Sequence, residues 1–213
     1  MNRRFETHLF WGAYSPLSSL AGAGLIILSS SRLSFALICS FALICVYGLT
    51  ALVYSAAAFI MPKQGKMAAL LFLSAFFTGI FMLVTSLLNP LLILGTGFFL
   101  ILIPPCALGS EFYESSDSRE PIEVFSRSLL EALVMSGIIL AFALIREPLG
   151  LGTLSFPGSA QGIIELFDSP GTDAFVPGRI LSVTAGAFML LGYGTALFRY
   201  FREQNAGISK EER

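Results

Sequence analysis

The sequence predicts an all-α integral membrane protein with six transmembrane helices arranged as a 3+3 inverted repeat. Three observations lead to this prediction: few charged residues, six long apolar segments, and proline breaks at matching positions of two halves. Of the 213 residues, 55% are hydrophobic and only 13% are charged, and the mean hydropathy is +0.78. Soluble domains carry about 25% charged residues. The composition therefore indicates a polytopic membrane protein.

Six segments are apolar and long enough to cross, or nearly cross, a hydrocarbon core of about 30 Å. They cover residues 10–28, 35–61, 67–88, 90–108, 129–145 and 180–198. We expect helices, because backbone that faces lipid must satisfy its own hydrogen bonds. Asn89 and Pro90 predict the start of the fourth helix, with asparagine at the N-cap and proline at N1. The chain, 1–213, is predicted to be one membrane domain.

The distribution of lysine and arginine predicts the orientation of the helices. With both termini on one side, ten of the 13 basic residues lie on that side, and Arg32, Arg146 and Arg179 lie on the other. Positive residues concentrate on the cytoplasmic side, so we expect both termini in the cytoplasm and the chain in a bacterial-type inner membrane. The net charge of −1 gives no reason to expect a nucleic-acid partner.

The six segments divide into two halves of three spans, residues 5–88 and 89–203. An odd number of spans per half forces the halves into opposite orientations, as an inverted repeat requires. The first helix of each half carries a break, at Pro16 and at Pro104-Pro105. Lipid tolerates such breaks only where the freed backbone groups are buried in protein or face a cavity. The matched pair favours half-helices near the midplane, and close packing of small residues is the simpler alternative.

Polar residues follow the fifth segment. Arg146 and Glu147 stand at its end, and Pro148 comes next. The simplest interpretation is an interfacial helix end, with Arg146 reaching the interface and Pro148, Gly150 and Gly152 ending the helix. The alternative is that both charged side chains anchor a re-entrant turn or line an ion path. In the long connection 151–178, residues 160–167 are consistent with a short amphipathic helix.

The three cysteines are too few for a disulfide framework. Cys39 and Cys45 lie in the second apolar segment, where we expect them to be inert packing residues. We expect them to face away from Cys106, which lies in the fourth segment. Cys106 directly follows the Pro104-Pro105 break. There is one histidine in the sequence, and no phosphate-binding loop or dinucleotide fingerprint. The sequence therefore shows no site at which this chain alone would complete a reaction.

Residues 145–156, IREPLGLGTLSF, resemble the RE-x-x-G-x-GTL-F signature of the Rnf/Nqr membrane subunits, and are closest to the RnfE/NqrD branch. The signature falls on Arg146, Glu147, Gly150, Gly152 and Thr153. DSP at 168–170, VPGRI at 176–180 and NPLLILG at 89–95 resemble the same branch, so the resemblance extends over essentially the whole chain.

The resemblance implies a six-span subunit that pairs with a homologous six-span subunit inside a multi-subunit membrane complex. Such complexes pass electrons between ferredoxin and NAD while they move Na⁺ or H⁺. The resemblance also implies that each paired subunit gives one cysteine from each broken helix to a shared [2Fe–2S] cluster, whose usual ligands are thiolates.

This chain departs from the family at both ligand positions. The family has Cys-Pro where this chain has Ser15-Pro16, and a serine oxygen is a poor substitute for a thiolate. Cys106 matches the family's second cysteine if a deletion follows it, but it is one position off when the Leu-Gly pair after it is aligned. Cys106 is therefore the candidate iron ligand and Ser15 the second candidate cofactor-binding residue. We expect the cluster to be altered or absent.

A second function is compatible with the same pattern. A six-span substrate-binding or carrier subunit of a vitamin-type transporter would explain the length and the broken helices without any cysteine ligand.

Overall fold

The computed structural model describes residues 20–57, 65–108, 121–158, 163–166 and 178–211. The predictions for Ser15 and Pro16 lie outside these residues. Eight helices and two short strands follow one another in the described part: α1 Leu20–Ser29, α2 Leu33–Ala57, α3 Lys66–Leu88, α4 Pro90–Leu100, α5 Ile103–Leu108, α6 Pro121–Leu151, β1 Ser155–Pro157, β2 Ile163–Glu165, α7 Arg179–Ser182 and α8 Thr184–Glu211.

Four helical stretches of the described residues are long and apolar enough to cross a membrane. They are Leu33–Ala57, Lys66–Leu88, Pro90–Leu108 and Ile122–Leu151. Leu20–Ser29 and Thr184–Leu197 are shorter apolar helices. The chain is therefore mostly helical and compatible with a membrane-embedded all-α protein, as the sequence predicts. The count of six spans stays a prediction.

Helices α2 and α6 form the most extensive contact between helices and the centre of the core. Small side chains line this contact, among them Ala36, Ala132 and Ala143, which are fully buried. Ser136 Oγ donates to the Ser40 carbonyl at 3.2 Å, and Ser40 Oγ donates to the Ser136 carbonyl at 3.4 Å. Small and hydroxyl-bearing residues let apolar helices approach closely in this way.

One end of the bundle collects several connections, and we call it the hairpin end. The α1–α2 turn, Asn89 and the β1–β2 hairpin lie there. Asn89 caps α4, since its Oδ1 accepts from Leu92 N at 3.3 Å and Pro90 occupies the first turn. The predicted start of the fourth helix is thereby confirmed. The Asn89 side-chain amide also donates to the Gly158 carbonyl at 2.6 Å and ties this corner to the hairpin.

The fourth helix is interrupted, as the sequence predicts. Between α4 and α5 the chain makes a tight turn, in which Leu102 N donates to the Phe99 carbonyl at 3.1 Å. Pro104 and Pro105 lie in the first turn of α5, where proline is tolerated because its missing N–H would have no intrahelical partner. The break therefore falls directly before the prolines.

The last helix is also interrupted, and this break was not predicted. Helix α7 ends at Ser182, Val183 is extended with φ −79° and ψ 152°, and α8 begins at Thr184. The sequence predicted one continuous segment over 180–198. No proline marks the break, so local sequence gives little sign of it.

Two other predictions for this region were wrong. Helix α6 continues through Pro148 and Gly150 to Leu151, so of the three residues expected to end it only Gly152 does so. Residues 163–165 form a strand instead of part of an amphipathic helix, and Phe156 pairs with Ile164 in an antiparallel hairpin. Two adjacent isoleucines and the preceding Pro-Gly pair favour a hairpin over a helix.

Gly150 provides a test of the packing between α6 and α7. A Cβ added at Gly150 would lie 2.8 Å from Ser182 N and 3.2 Å from its Cα, so Gly150→Ala must displace α7. We expect a lower midpoint of thermal unfolding for this variant in lipid nanodiscs. The matched control is Gly137→Ala in the same helix, where nothing lies within 4 Å. Alanine should stabilise that site by about 0.5–1 kcal/mol through its helix propensity. Equal midpoints for the two variants would contradict the packing described here.

Candidate functional site

Arg146 lies near the end of α6, buried among helix ends at the hairpin end. The residue is only 3% exposed. The Nε atom donates to the Leu181 carbonyl at 2.7 Å, one terminal nitrogen donates to the Ser182 carbonyl at 3.0 Å, and the other donates to the Ile27 carbonyl at 2.7 Å. The last carbonyls of a helix have no intrahelical donor. Arg146 therefore satisfies free carbonyls at the ends of both α1 and α7.

The interfacial interpretation of Arg146 was wrong, because the guanidinium is buried and bonded to backbone instead of reaching outward. The alternative, in which Arg146 and Glu147 anchor a re-entrant turn or line an ion path, stays a prediction. What the geometry shows is that Arg146 binds backbone carbonyls at the interruption between α7 and α8. A cation at a helix C-terminus is favoured by the negative end of the helix dipole, and here two such ends converge on one guanidinium.

Glu147 has the complementary role at the start of α2. It is fully buried, and its Oε2 accepts from Leu33 N at 2.5 Å. Leu33 is the first residue of α2, so the carboxylate caps a helix N-terminus, where negative charge is favoured. The second oxygen, Oε1, is buried without a hydrogen-bond partner in the described part of the chain.

The remaining signature residues lie in the same place. Gly150 contacts α7, as described above. Gly152 ends α6 with φ 68°, which favours glycine, and its N–H donates to the Pro148 carbonyl at 3.1 Å. Thr153 is buried directly after it. We call Arg146, Glu147, Gly150, Gly152 and Thr153 the helix-end unit. The structure brings all five together, and they connect the ends of α1, α2, α6 and α7.

The β hairpin is fastened to this unit through α2. Ser155 Oγ donates to Ser34 Oγ at 3.3 Å, and Ser34 N donates to Ser155 Oγ at 3.4 Å, with both residues fully buried. Outside this contact Arg32 and Glu165 form a partly exposed ion pair at 3.3 Å. Exposed ion pairs contribute little stability. The buried serine contact is therefore the stronger attachment of the hairpin.

A second group of polar residues surrounds Cys106, which is fully buried in α5. The Tyr47 hydroxyl of α2 lies beside the thiol, although the two do not form a well-aligned hydrogen bond. Glu131 of α6 is near enough to interact electrostatically with both. We call Cys106, Tyr47 and Glu131 the Cys106 cluster. It joins the interrupted fourth helix to the α2–α6 contact.

Cys39 is a buried packing residue, as expected, but the expectation that it lies away from Cys106 was wrong. Cys39 is buried in the same core as Cys106, near enough to interact with it electrostatically, and does not lie on a remote face. Cys45, in contrast, is only partly buried and lies outside that core. Six residues, or nearly two helical turns, separate Cys39 from Cys45. The sequence alone did not show which of the two cysteines faces α5.

Of the two positions that the resemblance assigns to a shared [2Fe–2S] cluster, only Cys106 lies among the described residues, so the expectation of an altered or absent cluster stays a prediction. Such a cluster takes four protein ligands, usually thiolates. The described residues contain no group of three His, Cys, Asp or Glu side chains placed to hold a metal ion. The Cys106 thiol is buried in the chain's own core and interacts with Tyr47.

Glu131 and Tyr47 were not predicted as functional residues. The signal for Glu131 was present, because a single carboxylate inside an apolar membrane segment marks a functional position by default. Tyr47 gave no comparable signal, since tyrosine in an apolar helix is common in cores. Only the fold shows that Tyr47 interacts with both Glu131 and Cys106.

Neither the protein-family models nor the curated proteins include a match to this chain. The resemblance to the Rnf/Nqr subunits therefore depends on the residues of this sequence and on what they do in the fold.

Arg146→Ala is expected to destabilise the chain strongly. It leaves the partly buried carbonyls of Leu181 and Ser182 without this donor and the Ile27 carbonyl with only the Ser30 hydroxyl at 3.4 Å. Each unpaired buried polar group costs about 1–3 kcal/mol. We expect a loss of about 3 kcal/mol or more, measured as a lower unfolding midpoint in nanodiscs. Arg146→Lys should recover only part of it, because an ammonium group does not reproduce the planar fork. Arg127→Ala, a partly exposed arginine of the same helix, is the control and should change little.

Two substitutions at Glu147 distinguish the contribution of its hydrogen bond from that of its negative charge. Glu147→Gln keeps an oxygen for Leu33 N and replaces the unpaired Oε1, so we expect stability close to that of the parent. Glu147→Ala removes the cap, which costs about 1 kcal/mol for a typical N-cap, and also leaves a cavity. Thermal unfolding of the two variants side by side provides the measurement. Equal damage in both would show that the negative charge, and not the hydrogen bond, is what the α2 terminus requires.

Proposed function

We propose that this chain is a membrane subunit of an Rnf-like ion-translocating electron-transport complex, linked to ferredoxin and NAD. In this proposal it pairs with a homologous six-span subunit and takes part in moving Na⁺ or H⁺. The observation that carries the proposal is the helix-end unit. The five residues that match the Rnf/Nqr signature form one contiguous group of helix ends, in which each residue has a defined contact or backbone role.

The five matched positions share one environment, which is the support that the fold gives to the resemblance. Here Arg146, Glu147, Gly150 and Thr153 are all buried, and Gly152 has the one positive φ of the described residues. The match therefore falls on a structural unit, and this supports a shared fold.

The proposed topology follows from the same unit. Helix α1 would be the second part of the first span, and α7 and α8 together the sixth. The spans would then form a 3+3 inverted repeat, with broken first and fourth helices and both termini in the cytoplasm of a bacterial-type cell. Exposed apolar side chains of α3 and α4, including Phe72, Leu87 and Leu94, provide surface for lipid or for the homologous partner.

Within such a complex, the described residues favour a role in ion movement over electron transfer. The Cys106 thiol is enclosed in the core, whereas Glu131 places an ionisable group inside the bundle. Ionisable residues inside membrane segments mark ion and proton paths. A complex of this family moves ions as well as electrons, so the two roles can be carried by different subunits.

The transporter alternative draws support from a different observation. Two helices are interrupted, between α4 and α5 and between α7 and α8. Interrupted helices form the substrate sites of many secondary transporters, where their free backbone groups coordinate the substrate. In this chain Arg146 already occupies the carbonyls at the second interruption, so one of the two breaks is used for structure. The Rnf-like proposal is therefore the better supported.

Purification from native membranes in mild detergent tests the proposal. A tagged chain should carry with it a homologous membrane subunit, together with flavoprotein and ferredoxin-like subunits, and the preparation should absorb in the visible range. Recovery of an ATPase pair in their place would favour the transporter. A chain that purifies alone, fully stable, would contradict the paired-subunit proposal.

Iron content distinguishes the roles of Cys106 and Ser15. We expect at most a labile cluster signal by low-temperature EPR and iron quantitation of the purified complex, because this chain offers one candidate thiolate and one serine oxygen at the family's ligand positions. Ser15→Cys should strengthen the signal if the family's ligand geometry is retained. A robust signal that Cys106→Ala leaves unchanged would refute Cys106 as an iron ligand.

The orientation is tested by labelling in intact cells. Asn2→Cys and Glu212→Cys should stay unlabelled by a membrane-impermeant thiol reagent, because the ten-to-three distribution of basic residues places both termini inside. Arg32→Cys, at the partly exposed hairpin end, is the positive control. Labelling at position 2 or 212 would reverse the proposed topology.

A further inference from the structure

Glu147 is a buried carboxylate without an ion pair. It is fully buried and makes no salt bridge with any described residue. Arg146, its neighbour in the chain, gives its donors to backbone carbonyls and to the Ser30 hydroxyl, and none to the carboxylate. Buried charges in proteins are paired or bind a metal ion. Glu147 therefore requires a positive partner that these side chains do not provide.

The N-terminus of α2 compensates one of the two carboxylate oxygens. Oε2 accepts from Leu33 N at 2.5 Å, and a helix N-terminus carries only about half a positive charge. Oε1 of Glu147 has no hydrogen-bond partner among the described residues. A buried polar atom without a partner in a native fold calls for a bound water or ion. Oε1 is such an atom, and it belongs to a charged group.

The sequence at the hairpin end offers no further basic side chain for this carboxylate. Residues 159–162 and 167–177, which link β1 to β2 and β2 to α7, contain no lysine, arginine or histidine. Within the α1–α2 turn and residues 145–182, three basic residues stand against four acidic ones, a net charge of −1. The basic residues are Arg32, Arg146 and Arg179, and the acidic ones are Glu147, Glu165, Asp168 and Asp173. A cation from outside the chain is thereby favoured.

Hard oxygen atoms are present at the first turn of α2. Ser34 directly follows Leu33, and its hydroxyl lies 3.3 Å from the hydroxyl of Ser155 in β1. Both serines are fully buried. Carboxylate and other oxygen ligands suit hard cations, whereas Ca²⁺ requires a fuller set of oxygen ligands with carboxylates among them. A single carboxylate with neutral hydroxyls matches one positive charge.

We propose that Glu147 binds a monovalent cation, Na⁺, at the hairpin end. Oε1 is the charged ligand, the hydroxyls of Ser34 and Ser155 supply neutral oxygens, and Oε2 stays on Leu33 N. This inference deepens the proposed function, because it names an ion and its site, and the role of that ion in a redox-driven complex rests on the proposed function. The binding itself does not.

Equilibrium binding of ²²Na⁺ to the purified protein in nanodiscs tests the site, with choline chloride keeping the ionic strength constant. We expect saturable binding. Glu147→Gln keeps an oxygen for Leu33 N but removes the charge, so it should weaken the affinity of this site roughly tenfold or more. Ser155→Ala should weaken it less, because it removes a neutral oxygen. The matched control is Glu123→Gln, exposed in the first turn of α6, which should bind like the parent.

Thermal unfolding distinguishes a lost ligand from a misfolded variant. In choline chloride the parent and Glu147→Gln should unfold at similar midpoints, because the cap on α2 is kept. In sodium chloride the midpoint of the parent should rise with concentration, since an ion that binds only the folded state stabilises it, and that of the variant should not. A folded Glu147→Gln that binds ²²Na⁺ like the parent overturns the proposal. A folded parent without saturable binding does so too, because the carboxyl is then neutral or meets only water.

The outcome is separable from that of the proposed function. Sodium binding that depends on Glu147, in a chain that purifies without redox subunits, would keep the cation site and refute the Rnf-like assignment. Co-purified redox subunits together with binding that Glu147→Gln leaves unchanged would do the reverse.

Discussion

The requirement that buried backbone groups be hydrogen-bonded governs the architecture of this chain. In apolar surroundings a free carbonyl has no water from which to accept a hydrogen bond. A helix can therefore stop or break inside the bundle only where another group supplies the donor. The guanidinium of Arg146 supplies it for three carbonyls, one at the end of α1 and two at the end of α7. This side chain therefore stabilises the interruption of the last helix, close to the contact of α6 with α7 at Gly150.

The two charges of the helix-end unit are neutralised by helix ends instead of by each other. Arg146 binds the negative ends of two helices, and Glu147 binds the positive end of a third. Each charge thus has a partner whose dipole has the opposite sign, and no ion pair between the two is needed. This explains how adjacent residues of opposite charge point to different helices. It also explains why arginine is suited to this place, since its planar fork reaches separate carbonyls at the same time.

The fold contains two separate polar centres. The helix-end unit lies at the hairpin end, where its groups are almost completely satisfied and hold elements in place. The Cys106 cluster lies toward the other end of the fourth helical stretch, after the break between α4 and α5, and the Tyr47 hydroxyl in it has no well-formed hydrogen bond among the described residues. A satisfied centre suits a structural role, because its hydrogen bonds resist rearrangement.

Much of this protein was determined by the sequence alone. Composition and segment lengths predicted apolar membrane helices, Asn89-Pro90 predicted the start of α4, and Pro104-Pro105 predicted its interruption, because each of these depends on local chemistry. The signature at 145–156 predicted where the unusual polar residues would be. Only the tertiary structure decided what they do. Arg146 is buried because two distant helix ends, at Ile27 and Ser182, meet at its position, and Cys39 approaches Cys106 because of the packing of α2 against α5. Val183 interrupts a helix without any local breaker, since the arginine makes the break stable. Such contacts join residues far apart in the chain, and no local pattern contains that information.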